Sequence, residues 1–333
     1  MAEVIREAGD ACSLVFDVPD ELAAEFAYRP GQFLTVSVPA ADGAVARCYS
    51  LSSSPETGDR PAITVKRAGY ASAWIVDHVA EGTELDVLPP AGTFTPPSLD
   101  ADLLLFAGGS GITPVMSIVK SALARGRGQI VLIYANRDER SVIFDRQLRE
   151  LASDPRLLVV HWLDSVQGPP AAAALTALAR PYQDYEAFVC GPDPYMKVVR
   201  ESLRRLGVPA SRIHLEKFLS LTENPFQERT RPTSSPQPGD SGGPAATLEV
   251  TMDGESRTLN WPAGSRMLDV LIDGGFDAPF SCREGVCGAC ACQVTAGEVT
   301  MAANNVLEDE DLADGYVLAC QSLPLSETIS ITY

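Results

Sequence analysis

The stretch FSCREGVCGACAC, residues 280–292, sets four cysteines within eleven positions, and a fifth, Cys320, follows in LACQS. Disulfides, a zinc site and an iron–sulfur cluster would each use such thiols, and their spacing separates the three. Cys282-x4-Cys287-x2-Cys290, then 29 residues to Cys320, is the plant-type [2Fe–2S] spacing. Zinc sites more often come as two C-x-x-C pairs, and only one pair here has that separation. A disulfide framework needs an oxidising compartment and an even-numbered, spread set. Two irons and two sulfides need four thiolates on a loop that folds over them. Gly285 and Gly288 permit that wrapping and leave backbone N–H groups to bond sulfur. Cys292 falls outside the pattern and, like Cys12, is expected to pack in a core.

The 333-residue chain, 45% hydrophobic, has length enough for two or three domains. MAEVIREAGD is charged and has no apolar segment, so no leader is expected, and no run of about 18 apolar residues marks a membrane span. Eight cysteines in an otherwise ordinary composition favour free, catalytic or metal-bound thiols in a reducing, cytoplasmic setting. A formal charge of −18 argues against nucleic acid, whose phosphates it would repel. The charge is uneven. From Thr247 onward fourteen acids face three arginines, a formal −11, against −7 for residues 1–246. That last quarter is either a solubilising surface or an acidic docking face for a basic partner.

ERTRPTSSPQPGDSGGPAA, residues 228–246, is dominated by Pro, Ser and Gly and reads as a linker. Before it, residues 1–98 alternate in short runs (FLTVSV, AITVKR, ELDVLP) broken by Pro and Gly, the mark of a β-barrel or sandwich, and an antiparallel β-barrel is the expectation. Over 99–227 the texture changes. DLLLFAG, QIVLIYA, RLLVVHWL and EAFVCG read as buried strands, and PVMSIVKSALARG, VIFDRQLRELAS and PYMKVVRESLRRLG as amphipathic helices. That alternation predicts a doubly wound α/β domain with a parallel sheet. Residues 247–333 form the third, cysteine-bearing domain.

Two strand ends carry glycine turns. In FAGGSGITPVMS, Gly108, Gly109 and Gly111 allow close backbone approach, Thr113 can cap the helix and Pro114 suits its first turn. A bare helix N-terminus there suits a pyrophosphate. In AFVCGPDPYM, Cys190 closes a strand and Gly191 and Pro192 turn the chain into a helix, the place where ligands collect in open α/β sheets. Taken alone, Cys190 is a small buried hydrophobe. In ARCYSLSSSP, Arg47 and Tyr49 share a strand face and Ser50 points away unless a bend intervenes. A cation, an aromatic ring and a hydroxyl would together suit a flavin nucleotide. His78, His161 and His214 are scattered and form no site.

In their order and spacing, YRPGQF, RCYS, GYAS, GGSGITP and CGPDPYM resemble the ferredoxin–NADP reductase superfamily over most of residues 1–218. LDVLIDGGFDAPFSCREGVCGACAC adds a plant-type ferredoxin of the α+β, β-grasp type. The resemblance implies that Arg47, Cys48, Tyr49 and Ser50 hold the flavin, with Val65, Lys66, Gly69, Ala71 and Ser72 around it and Ser50 near its reactive nitrogen. It implies that Gly109, Gly111, Ile112 and Thr113 face the nicotinamide nucleotide. Cys190 and Gly191 would lie beside the reactive ring of that nucleotide, and Glu216 and Phe218, in HLEKF, by the flavin. The module order resembles the reductases of two-component oxygenases. That resemblance implies FAD, NADH and a [2Fe–2S] cluster in a monomeric chain, with a Rieske-type terminal oxygenase as acceptor, that of 3-ketosteroid 9α-hydroxylation. A di-iron monooxygenase of the phenylacetyl-CoA type is the alternative acceptor. An electron carrier or sensor that does not turn over NADH is the alternative of another class.

Overall fold

Strand signals of period two dominate the first ninety residues, and there the chain builds two three-stranded antiparallel sheets. One joins β1 (Glu3–Ala8), β2 (Ala11–Val15) and β5 (Ala62–Lys66); the other joins β3 (Phe33–Ala40), β4 (Gly43–Ser50) and β6 (Val87–Ala91). A bridge between Leu51 and Ile63 and a bond from the Ser52 amide to the Ala62 carbonyl at 2.8 Å tie the sheets together. Leu14, Leu34, Val36, Ile63 and Val65 point inward from both sheets onto Ile75 of helix α1 (Tyr70–His78), so the two sheets enclose one core like the barrel the sequence predicts. Each such side chain contributes about 1.5–3 kcal/mol by leaving water. The computed structural model describes residues 1–41, 43–218, 221, 224–226, 246–252, 254–307 and 309–333. They divide into two compact units, Met1–Ser220 and Leu221–Tyr333.

The second half of the first unit is the doubly wound domain. Strands β7 (Leu103–Gly108), β8 (Ile130–Asn136), β9 (Leu157–Leu163), β10 (Glu186–Cys190) and β11 (Ile213–Glu216) lie parallel in the order β11-β10-β7-β8-β9. In LLLFAG, Leu103 and Leu105 enter one core and Leu104 and Phe106 the other. Because both faces are covered, the strand reads as an unbroken apolar run. Helix α2 (Ile112–Arg125) covers the first face with Val115, Ile118 and Val119. Helices α5 (Ala172–Ala179) and α6 (Asp193–Arg205) cover the second. The helix expected from Val142 starts only at Asp145, as α3 (Asp145–Leu151), with the single turn α4 (Asp164–Gln167) after β9. Val142, Ile143 and Phe144 are core residues, and Phe144 takes φ 63°, which breaks any helix before it.

Polar bonds stitch the two halves of this unit. The Ser117 hydroxyl donates to the Ser53 carbonyl at 2.6 Å, Ser54 and Ser121 share a 2.8 Å bond, and Lys120 Nζ donates to the Ser52 carbonyl at 3.1 Å. All three α2 residues lie on its face toward the loop that follows β4, which fixes that helix against the strand carrying Arg47 and Tyr49.

In the second unit, β12 (Ala246–Met252), β13 (Glu255–Trp261), β14 (Ala291–Ala296), β16 (Tyr316–Leu318) and β18 (Thr328–Thr332) form a mixed sheet ordered β13-β12-β18-β14-β16. Only the β12–β18 pair is parallel. Helix α7 (Met267–Asp273) packs Met267, Leu268 and Leu271 with Trp261, Leu248 and Ile329. A short pair, β15 (Val299–Met301) with β17 (Ser322–Pro324), and helix α8 (Asp309–Ala313) complete it. This is the grasp of one helix by a mixed sheet that the sequence predicts. The expected linker 228–246 lies outside the described residues except for Ala246, which opens β12. Among the described residues no helix is long and apolar enough to cross a membrane.

Candidate functional site

The loop after α7 brings Cys282, Cys287 and Cys290 together with Cys320, which follows β16, and so gathers the four cysteines of the [2Fe–2S] spacing. Cys282, Cys287, Cys290 and Cys320 are all buried. They come as two pairs: the Cys282 amide donates to Cys287 Sγ at 3.5 Å, and the Cys320 amide to Cys290 Sγ at 3.5 Å. Within each pair the partner thiol pushes Cys287 and Cys290 up and holds Cys282 and Cys320 down. Further N–H groups converge on sulfur: Glu284 N on Cys282 Sγ at 3.3 Å and Gln321 Nε2 on Cys320 Sγ at 3.4 Å. Among the described residues no three candidate ligands surround one metal ion. Two pairs are what a cluster of two irons needs, each iron taking two thiolates, so the donor set fits that group and not a mononuclear site.

The loop's shape has local causes. Arg283, Gly285 and Gly288 take φ 58°, 74° and 71°. A Cβ on Gly285 would fall 2.8 Å from the Ala303 carbonyl oxygen, so only glycine fits there. Arg283 holds its conformation by an ion pair with Asp269 of α7 at 2.7 Å and by stacking over Phe280 at 4.5 Å. Cys292 faces Met267 Sδ at 3.7 Å in the core, apart from the four.

In the first unit a groove of about 340 Å³ opens along β4 and α1. Arg47, Cys48, Tyr49, Ser50, Lys66, Gly69, Ala71, Ser72, Thr113 and Phe218 line it, together with Thr64, Ala68, Tyr70 and Ser110, which sequence reasoning missed. Ser50 shares the groove with Arg47 and Tyr49 because β4 ends there and Leu51 swings to pair with Ile63. Burial pushes the Tyr49 phenol up to about 12. Cys48 Sγ lies 3.5 Å from Thr35 Oγ1. Gly69, at φ 136°, opens α1 with no side-chain cap. Ser72 instead accepts from Ala68 N at 2.8 Å and donates to the Gly69 carbonyl at 3.1 Å. Among the described residues no side chain caps the first N–H groups of α1, which line the groove together with Arg47, a setting that fits the phosphates of a flavin nucleotide.

Val65 does not line the groove. It is fully buried, because β5 alternates and turns Thr64 and Lys66 outward to the groove instead. Gly109, Gly111, Ile112, Cys190, Gly191 and Glu216 also lie outside the groove lining. They gather at the carboxyl ends of β7, β10 and β11, where the strand order reverses. A Cβ on Gly111 would fall 2.2 Å from the Cys190 carbonyl oxygen, and one on Gly191 would fall 3.0 Å from Gly108 Cα. Close packing of two strand ends therefore demands these glycines. Thr113 sits inside α2 and donates to the Ser110 carbonyl at 3.1 Å rather than capping the helix, whose first turn follows Gly111 without a side-chain cap. Cys190 is wholly buried, and burial pushes its thiol well up. Glu216 pairs with it in register on β11, and burial pushes that carboxyl up to about 8.

The same sheet edge carries polar groups left unsatisfied among the described residues. Both side-chain polar atoms of buried Asn136, Nδ1 of His161 and Oδ1 of Asp164 have no hydrogen-bond partner among the described residues. They stand at or near the carboxyl ends of β8 and β9. Buried polar atoms of this kind are rare in a folded chain, and a bound nucleotide at this edge fits them. The only sequence signal was a polar residue closing each apolar strand.

Three families of known domains match in order: an oxidoreductase FAD-binding domain over residues 2–95, an oxidoreductase NAD-binding domain over 105–201 and a 2Fe-2S iron-sulfur cluster binding domain over 250–325. The chain is 52% identical, over all of its length and 95% of the relative's, to the 3-ketosteroid-9-alpha-monooxygenase, ferredoxin reductase component, of Rhodococcus rhodochrous. It is 33% identical, over all of its length and 96% of the relative's, to one of the subunits of the 1,2-phenylacetyl-CoA epoxidase of Escherichia coli strain K12. Among solved structures it is similar to a phthalate dioxygenase reductase, at 25% identity and a TM-score of 0.57, covering 100% of this chain and 96% of that one.

Proposed function

Because the chain belongs to the family of ferredoxin reductase components of 3-ketosteroid-9-alpha-monooxygenase, we propose that it carries electrons from NADH, by way of FAD and a [2Fe–2S] cluster, to the Rieske-type oxygenase of a 3-ketosteroid 9α-hydroxylation. The observation that carries this reading is the convergence of two buried thiol pairs on backbone N–H groups, in one chain with a flavin-sized groove and a glycine-lined switch point. When bound, the flavin links a two-electron donor to a one-electron acceptor. The chain's own residues bind and orient. Arg47 and the N-terminus of α1 balance the charge of the flavin phosphates, and Tyr49 gives a face for the ring. Ser50 offers its hydroxyl at the reacting end. Cys190 and Glu216 shape the edge against which the nicotinamide rests. Cys282, Cys287, Cys290 and Cys320 hold the cluster, and the surrounding N–H groups set its environment.

Residues 1–98, 99–227 and 247–333 serve as flavin, nucleotide and cluster modules of a cytoplasmic monomer. NADH is the donor: Asp138, two residues past β8 and bonded by the Ser141 amide and hydroxyl, sets a carboxylate in the segment that follows the strand, and Arg137 and Arg140 beside it are the groups that would instead hold a 2′-phosphate. A catalytic efficiency higher with NADPH than with NADH overturns that choice. The acceptor is tested by mixing the purified chain, NADH and a steroid hydroxylase oxygenase and measuring hydroxylated steroid. Turnover only with a di-iron oxygenase acting on phenylacetyl-CoA transfers the assignment to that acceptor. Failure of NADH to bleach the chromophore without oxygen makes the chain a carrier that does not use NADH.

A further inference from the structure

Tyr70 lines the flavin groove, yet the residue is 60% exposed, and its ring meets no other aromatic ring among the described residues. Its position is nonetheless fixed. The hydroxyl donates to the Pro39 carbonyl at 2.9 Å, and the residue is the first of α1, directly after Gly69. An apolar ring pinned in place and left facing water is a surface waiting for a flat partner.

The strand register says how far along the groove that ring is anchored. Pro39 pairs with Ala44, whereas Ser50 pairs with Phe33 at the other end of the same hairpin. Six residues of β4 separate Ser50 from Ala44, about 20 Å at roughly 3.3 Å per residue. Arg47 lies midway, opposite Val36. A flavin mononucleotide with its ring at Ser50 ends in a phosphate near the middle of that span. A dinucleotide continues through a second phosphate to an adenine at the far end, where Tyr70 is anchored.

We propose that Tyr70 is the stacking platform for the adenine of FAD and the residue that makes the groove select FAD over FMN. The proposal rests on the flavin reading of the groove, and it adds a ligand contact to a residue in which the sequence shows no signal beyond its place between Gly69 and Ser72.

The test titrates the full-length chain, stripped of flavin, with FAD and separately with FMN, following quenching of flavin fluorescence. The wild-type chain binds FAD more tightly than FMN. Tyr70→Ala loosens FAD by roughly tenfold or more, the effect of removing an aromatic ring from under a base, and leaves FMN where it was. Tyr70→Phe, which keeps the ring and loses only the tether to Pro39, holds FAD within about threefold, since one neutral hydrogen bond is worth little net. Equal loosening of FAD and FMN by Tyr70→Ala overturns the platform and makes Tyr70 a support of the groove wall. No change in either does the same by making the ring idle. A wild-type chain that binds neither flavin overturns the flavin reading itself, and one that binds both equally overturns the selectivity alone.

Discussion

The cluster loop and the flavin groove are built in opposite ways. The loop is local: three of its four sulfurs lie within nine consecutive residues, Cys282 to Cys290. Left-handed backbone at Arg283, Gly285 and Gly288 turns N–H groups inward onto thiols that are buried from solvent. The groove is dispersed. Its walls come from β4, β5, α1, the turn before α2 and Phe218, and they stay open to water. A buried charged cluster tolerates no missing ligand, whereas an extended groove shares its ligand among many weak contacts. The two regions should therefore fail differently.

The sharpest break is at the loop. Serine in place of Cys282, Cys287, Cys290 or Cys320 is expected to abolish the cluster's visible absorbance and its reduced-state paramagnetic signal, whereas Cys292→Ser keeps both. Loss in Cys292→Ser with survival in one of the four would show that the pairing of sulfurs has been misassigned. Flavin binding by the first unit should be unchanged in all five.

Next in size is Gly111→Ala. The new methyl meets the Cys190 carbonyl at 2.2 Å, backbone against backbone, so β7 and β10 must separate. Overpacking of this kind costs about 1–3 kcal/mol, read as a lower denaturation midpoint. NADH binding should weaken with it while the cluster absorbance stays. An unshifted midpoint would mean that the strand ends yield freely and that the switch point is no rigid seat.

In the groove a single contact should matter less. Ser50→Ala is expected to keep flavin and cluster bound and to slow flavin reduction by NADH by roughly tenfold or more, since a displacement of about 1 Å at a reacting atom is costly. Stopped-flow at the flavin band without oxygen measures it. Wild-type rates would return Ser50 to a strand-end residue. Reduction of the cluster by a chemical donor should not change.

What could be read from the chain beforehand follows the same division. The gathering of the four thiols was legible because one short loop supplies three of them. The parallel sheet was legible because strands covered on both faces become unbroken apolar runs, as in LLLFAG. Thr64 and Val65 show where legibility ended: which of two adjacent strand residues faces a ligand depends on the register of β5 against β2, and no local pattern states it. The glycines of the switch point were legible as glycines, but their cause was not. Gly111 serves the approach of β10, some eighty residues away in sequence. Asn136 and Asp164 escaped because an unbonded buried polar atom exists only once the sheet is assembled.

The smallest effect expected tests the edge of that sheet. Burial pushes the Glu216 carboxyl from an ordinary 4.5 up to about 8. Between those values the folded chain keeps a proton that the unfolded chain gives up, so the folded state binds more protons and its stability falls as pH rises from about 4.5 to about 8, levelling beyond either end. Ionisation also places a negative charge beside the buried Cys190. In Glu216→Gln nothing titrates there, and the same pH span should leave the urea midpoint of the flavin-stripped chain flatter than in the wild type. The difference is small because Glu216 keeps some contact with solvent, which damps the penalty of charging it. Parallel slopes in the two proteins would place the titration elsewhere. A steeper slope in Glu216→Gln would reverse the sign and mean that the carboxylate is held ionised in the folded chain.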